Sequence, residues 1–174
     1  MTSKIHTFPG TPLSEDEFRQ GKILFNYDRL NGSYAWDTGI AISSYLAGLK
    51  EGFLIGSRCT HCRKVVIPPR IVCEWCFRPM DSYVRLGDTG TVNTFSLCYV
   101  TWDVQRIQDP ELPAVIEIDG ASPGHGIMHK LGEVDPQALH IGIRVRAVWK
   151  PAEQRTGAIT DILYFKPVGE EESR

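Results

Sequence analysis

Three observations predict a mainly β protein entered through an N-terminal helical arm. Short runs rich in β-branched and aromatic residues crowd the second half of the chain. Four of the five cysteines stand in two Cys-x-x-Cys pairs between residues 59 and 76, and an amphipathic pattern of helical period occupies the segment up to Gly52. The expected organisation is a helical arm over 1–52, a cysteine module over 53–80, a β-domain over 81–168 and a charged tail over 169–174. A chain of 174 residues has room for one compact domain or two small modules in contact.

In the arm, Ser14 is followed three residues later by Glu17. This is a capping-box pattern, in which the Ser hydroxyl accepts from one free backbone N–H and the Glu carboxylate from another. It predicts a short helix from about Glu15 to Leu24, with a turn at Asn31-Gly32 beyond it. Ile42, Tyr45, Leu46, Leu49 and Phe53 recur at i, i+3, i+4, i+7 and i+11, one stripe of a second helix. Asp37 or Thr38 is placed to cap its start, and Gly52 stands where a left-handed residue would end it. The stripe packs either on the chain's own core or on a partner. Phe25, Tyr27, Tyr34 and Trp36 gather around the turn. Aromatics are enriched in interface cores, so these four are the candidate partner contacts.

The cysteine module follows. The N-terminus, MTSKIHTFPG, has no hydrophobic run of the kind a signal peptide carries, and no apolar run reaches the roughly 20 residues needed to cross a bilayer. The expectation is a cytoplasmic protein with no membrane partner. Reducing conditions and an odd cysteine count speak against a disulfide framework. Two Cys-x-x-Cys turns ten residues apart instead bring four thiolates to the corners of a tetrahedron, the closed geometry of structural zinc. Cys59, Cys62, Cys73 and Cys76 are the expected ligands; rubredoxin-type iron uses the same four thiolates and stays open as an alternative. His61 reads as a solvated knuckle residue, and Cys98, in a strand, as a buried inert thiol.

The β-domain contains the runs 91–102, 113–120, 126–131, 142–150 and 158–167. In 113–120, Ala114, Ile116 and Ile118 fall on one side; in 142–150, Ile143, Val145 and Ala147 alternate with Arg144 and Arg146. VDPQALH (134–140) is expected to form one helical turn. Five strands and a small helix suit a Greek-key barrel of the OB type. The turn SPGHGIMHK (122–130) holds His125 and His129, but a catalytic base needs a positioned partner and no motif supplies one. His125 therefore reads as part of an ordinary exposed loop. No nucleophile elbow, phosphate-binding loop or H-E-x-x-H occurs.

Together these segments resemble the acyl-CoA-associated zinc-ribbon/OB-fold family, in which a rubredoxin-like zinc ribbon precedes an OB-fold barrel. The resemblance spans nearly the whole chain. It is carried by RCTHCRKVVIPPRIVCEWC (58–76), GDTGTVNTFS (87–96), PAVIEIDG (113–120) and HIGIRVRAVW (140–149). Arg63 and Phe77 depart from the pattern, standing where the family's knuckles usually carry Gly, and the arm is longer than in many members. The resemblance implies a non-catalytic accessory subunit, with structural Zn2+, in a hetero-oligomer with a thiolase-like or related CoA enzyme. Some members are required by their thiolase, including small subunits of anaerobic aromatic degradation whose partner cleaves benzoylsuccinyl-CoA. CoA or acyl-CoA would then lie at the partner interface.

Charge fits that expectation. The chain carries a net −2, yet Arg58, Arg63, Lys64, Arg70, Arg78 and Arg85 outweigh Glu74 and Asp81 to leave residues 58–85 at +4. Arg63, Lys64, Arg70 and Arg78 are the candidate CoA-phosphate contacts, because cationic side chains, arginine forks above all, suit phosphate oxygens. The same charge could instead offset that of the thiolate cluster. The rival reading is a single-stranded nucleic-acid module, with Phe95, Tyr99, Trp102 and Trp149 stacking bases beside Arg144 and Arg146. Nearby Glu111, Glu117, Asp119, Glu133 and Asp135 and the acidic net charge count against it.

Overall fold

A computed structural model describes residues 14–22 and 31–169. Residues 1–36 form one unit and 37–174 another. In the first, helix α1 (Glu15–Arg19) begins with the expected capping box: Ser14 Oγ accepts from Glu17 N–H at 3.2 Å, and Glu17 Oε2 accepts from Ser14 N–H at 3.3 Å. The helix is shorter than its sequence pattern predicts, because Gly21 takes a left-handed φ of 67°. Phe25 and Tyr27 lie outside the described residues.

The second unit opens with helix α2 (Gly39–Glu51). Asp37 Oδ1 accepts from Gly39 N–H at 2.9 Å, and Thr38 is the N-cap residue. Gly52, at φ 82°, ends the helix and lets Phe53 N–H reach back to the Gly48 carbonyl at 3.0 Å. The alternatives left open for its apolar stripe resolve in favour of the chain's own core, where Tyr45 and Leu49 are buried and Leu46 packs at the edge. Gly48 lets the helix come close to the next strand, since a Cβ there would sit 2.9 Å from Ile55.

Strands β1 (Leu54–Arg58), β2 (Val65–Val66) and β3 (Ser82–Leu86) form an antiparallel sheet of order β2-β1-β3, which carries the cysteine turns. Gly87 and Asp88 then lead into β4 (Thr89–Phe95). A five-stranded sheet follows in the order β10-β9-β4-β7-β8, built with β7 (Pro113–Ile118), β8 (Gly126–Lys130), β9 (Arg144–Trp149) and β10 (Ile162–Pro167). A parallel bridge from Leu131 to Phe165 joins its two ends, closing a five-stranded barrel of the OB kind. The inward sides are those the alternation predicts: Ala114, Ile116 and Ile118 on β7, Val145 and Ala147 on β9.

Two features differ from the sequence reading. The run 91–102 is broken after Phe95, and its second part, β5 (Cys98–Val100), pairs with β6 (Arg106–Glu111) as a separate two-stranded hairpin. Residues 134–140 make turns rather than a helical turn. There Asp135 Oδ1 captures Gln137 N–H at 2.9 Å, a local bond that competes with helix.

One core serves the whole second unit. Tyr45 and Leu49 from α2, Leu54, Val65 and Ile67 from the cysteine module, Leu86 from β3, and Val92, Ile116, Val145 and Phe165 from the barrel belong to one buried cluster. Cys59, Val66, Cys73 and Met80 form a smaller one beneath the cysteine turns. No described helix is long and apolar enough to cross a membrane.

Candidate metal centre and exposed hairpin

The two cysteine turns are built alike. In the first, Cys59 leaves β1, Cys62 N–H donates to Cys59 Sγ at 3.5 Å, and Cys59 N–H donates to the Lys64 carbonyl at 2.8 Å. In the second, Cys73 N–H donates to the Arg78 carbonyl at 2.9 Å and Phe77 N–H to the Cys73 carbonyl at 2.8 Å. Each turn is completed by a left-handed residue, Arg63 at φ 58° and Phe77 at φ 56°. Knuckle geometry therefore persists without glycine. The conformation costs about 1–2 kcal/mol at each non-glycine residue, small beside the roughly 10–16 kcal/mol that structural zinc contributes.

All four sulfurs lie within 4.8 Å of one another. Cys59 and Cys76 Sγ are 3.5 Å apart, Cys62 and Cys73 3.4 Å, Cys62 and Cys76 3.8 Å. Tetrahedral zinc with Zn–S near 2.3 Å would hold sulfurs about 3.8 Å apart. Backbone N–H of Cys62 holds the Cys59 thiol down to about 6, whereas the neighbouring Cys59 and Cys73 sulfurs push Cys62 up to about 12. Four thiolates this close repel one another unless a cation sits among them, so the donor set fits zinc. Such a site is closed: the ion would tie the two turns together and leave no position for substrate.

The other sequence candidates are more dispersed in role. Arg63 and Arg78 are exposed on the two knuckles. Arg70 pairs with Glu74, and Lys64 Nζ lies 5.3 Å over the Trp75 ring. His61 is exposed, as expected, but Cys98 is half-buried rather than buried because β5 belongs to the outlying hairpin. Tyr34 and Trp36 are exposed. Of the proposed base-stacking aromatics, Tyr99 and Trp102 are exposed while Phe95 and Trp149 pack against the core. Arg144 is bound bidentately by Asp119, and Arg146 Nε lies 3.9 Å from Asp88 Oδ1, so carboxylates neutralise both cations of the nucleic-acid reading.

Three features escaped the sequence analysis. His125 is not in an ordinary exposed loop: its side chain is 12% exposed, edge-on to Trp75, with Nε2 3.5 Å from Glu74 Oε1. Burial pushes its imidazole below the usual range, against the raising effect of Glu74. Beside it, Ser122 N–H donates to the Val65 carbonyl and its Oγ accepts from Val65 N–H, both at 2.9 Å, so this barrel loop clamps the cysteine module. Asp161, fully buried, accepts from the N–H groups of Thr156, Gly157 and Ala158, with Lys150 Nζ 3.9 Å away. Lastly, the β5–β6 hairpin ends in a turn in which Thr101 N–H donates to the Gln105 carbonyl at 2.9 Å and Val104 N–H to the Thr101 carbonyl at 3.0 Å. This turn holds Val104 at φ 65° and leaves Trp102 94% exposed. A β-branched residue at positive φ is rare.

A four-cysteine ribbon followed by a closed barrel defines a zinc-ribbon/OB-fold protein. Residues 46–81 match the family description "ChsH2, rubredoxin-like zinc ribbon domain", and 83–150 match "ChsH2, C-terminal OB-fold domain". The chain belongs to the DUF35 family. It is 32% identical over 124 residues to a DUF35 domain-containing scaffold protein of Methanocaldococcus jannaschii, covering 69% of this chain and 86% of that one. A scaffold protein of the same description from Methanothermobacter thermautotrophicus is 26% identical over 117 residues, covering 66% and 86%. The fold is shared with a DUF35 protein of unknown function from Sulfolobus solfataricus, at TM-score 0.57, 22% identity and coverage of 75% and 87%. It is also shared with a chain of an Ltp2–ChsH2(DUF35) aldolase, at TM-score 0.56, 20% identity and coverage of 78% and 98%. The family resemblance drawn from the knuckle and strand motifs is borne out.

Proposed function

We propose that this chain is a non-catalytic, zinc-bound accessory subunit of an acyl-CoA-processing complex, bound to and required by a thiolase-like enzyme. The reading extends to anaerobic aromatic degradation, with benzoylsuccinyl-CoA thiolysis as the example. The observation that carries it is the hairpin tip: Trp102 and Val104 stand in solvent on a turn held by its own hydrogen bonds. An apolar group fixed in this way costs less to order on binding than a loose one. Family membership supports the reading, since the curated relatives are scaffold proteins by name. Tyr34 and Trp36 add exposed aromatic surface in the arm. A second reading replaces the thiolase with an aldolase, favoured by the neighbour whose name joins a DUF35 chain to one. Arg63, Lys64 and Arg78 would meet CoA phosphates at the shared surface; Arg70 would do so only by leaving Glu74.

The test is affinity purification from the native cells, with wild type and Trp102→Ala compared. A thiolase or aldolase in stoichiometric amount, losing activity when the subunit is removed and lost from the Trp102→Ala pull-down, is the expected result. Recovery of nucleic acid, or of proteins unrelated to CoA, would overturn the reading.

A further inference from the structure

The second cysteine turn points apolar side chains outward. Phe77 is 81% exposed and Ile71 61%, and Val72 and Trp75 stand about half in solvent beside them. Four large apolar residues within seven positions form a patch of the kind that marks an interaction site. Phe77 contributes little packing to the fold, yet its backbone is held at φ 56°, a conformation that glycine adopts without strain. Strain kept at a large exposed side chain points to a role outside the free molecule. The turn is also firmly held. Met80 N–H donates to the Ile71 carbonyl at 2.9 Å, and Val72 bridges to Pro79, closing the stretch around Cys73 and Cys76. The Trp75 ring meets His125 edge-on, with centroids 5.1 Å apart, and carries Lys64 over its face. Arg70 is taken up by Glu74, but Arg78, next to Phe77, is exposed with no carboxylate partner among the described residues. Lys64 and Arg78 thus give the patch a positive border.

We propose that this knuckle is the anchor by which the partner enzyme selects the chain: Phe77, with Ile71 and Trp75, fills an apolar socket bordered by carboxylates that face Arg78 and Lys64. An apolar centre with a positive edge is complemented by an apolar socket with a negative one. Aromatic and arginine side chains dominate interface energies, and those already fixed before binding lose the least freedom on docking. The inference rests on the accessory reading and adds to it the surface that sets specificity and the chemistry of its counterpart.

The experiment titrates the full zinc-loaded chain, labelled for fluorescence anisotropy, with the enzyme that co-purifies with it, freed of subunit and of CoA. Phe77→Gly should weaken binding about thirtyfold, the size of a hot-spot truncation. The free variant should melt no lower than wild type, because glycine relieves the left-handed turn. Arg78→Glu should weaken binding about tenfold at low ionic strength and less as salt is raised. A Phe77→Gly chain that binds as tightly as wild type overturns the inference and leaves the accessory reading standing; a pull-down with no CoA enzyme in it removes both. Binding that returns only when CoA is added back would give the positive border to phosphates and overturn the carboxylate border. Self-association of the free chain, or sedimentation with phosphatidylglycerol vesicles, abolished by Phe77→Gly, would make the occupant a second copy or a lipid surface and likewise overturn it.

Discussion

At Asp161 a carboxylate is buried with no exposure, yet its pKa is lowered. Burial acts to raise it, and the N–H groups of Thr156, Ala158 and Gly157, with Lys150, overcome that effect. A carboxyl group depressed in the folded state adds stability that is complete above its unfolded value. That stability is lost as pH falls through the folded value. Asp161→Asn should therefore destabilise the protein by about 3 kcal/mol at pH 7, because an amide in this nest leaves backbone N–H groups unsatisfied. The difference from wild type should shrink as pH drops below about 4. Urea unfolding across that range measures both; a difference that stays constant with pH would show that the charge plays no part. The sequence offered little sign of this residue: it falls within the run 158–167 that reads as strand, and the 3-10 turn over Ile159–Asp161 that buries it forms only when the chain folds around it.

Among the elements, the hairpin was the least legible. The Cys-Tyr-Val run was visible as strand, but RIQDPE carries a proline and two acids, which lower strand propensity. A two-stranded hairpin that packs on no core also lacks the alternation by which β7 and β9 were placed. By contrast the knuckles, the stripe of α2 and the barrel strands were legible because each obeys a local rule of spacing. The clamp of His125 on Trp75 was not, because it joins residues fifty positions apart. The hairpin carries its own prediction. Relieving the left-handed valine with Val104→Gly should stabilise the free chain by roughly 0.5–1 kcal/mol, yet weaken partner binding by removing an exposed apolar contact. A thermal melt and a pull-down read the two effects separately. Lower stability in the variant would mean that Val104 is held by packing rather than strained.

For the whole molecule, the shared core decides what metal loss does. Leu54, Val65 and Ile67 of the ribbon are buried with the barrel residues, so the two halves do not come apart cleanly. The roughly 10–16 kcal/mol that structural zinc contributes matches or exceeds the usual 5–15 kcal/mol stability of a domain. Chelation, or Cys73→Ser, should consequently unfold ribbon and barrel in one transition, with about one zinc per chain released. Metal analysis and near-ultraviolet circular dichroism follow this directly. A barrel signal that persists without metal would show two independent folding units, and a coloured protein containing iron would reassign the ion.

The clamp made by Ser122 and His125 fastens the barrel loop before β8 to the cysteine module at two points, Val65 and the Glu74–Trp75 pair. A partner that gripped the knuckles would therefore meet the barrel at a set spacing, and the fastening would act as a gauge of the surfaces it accepts.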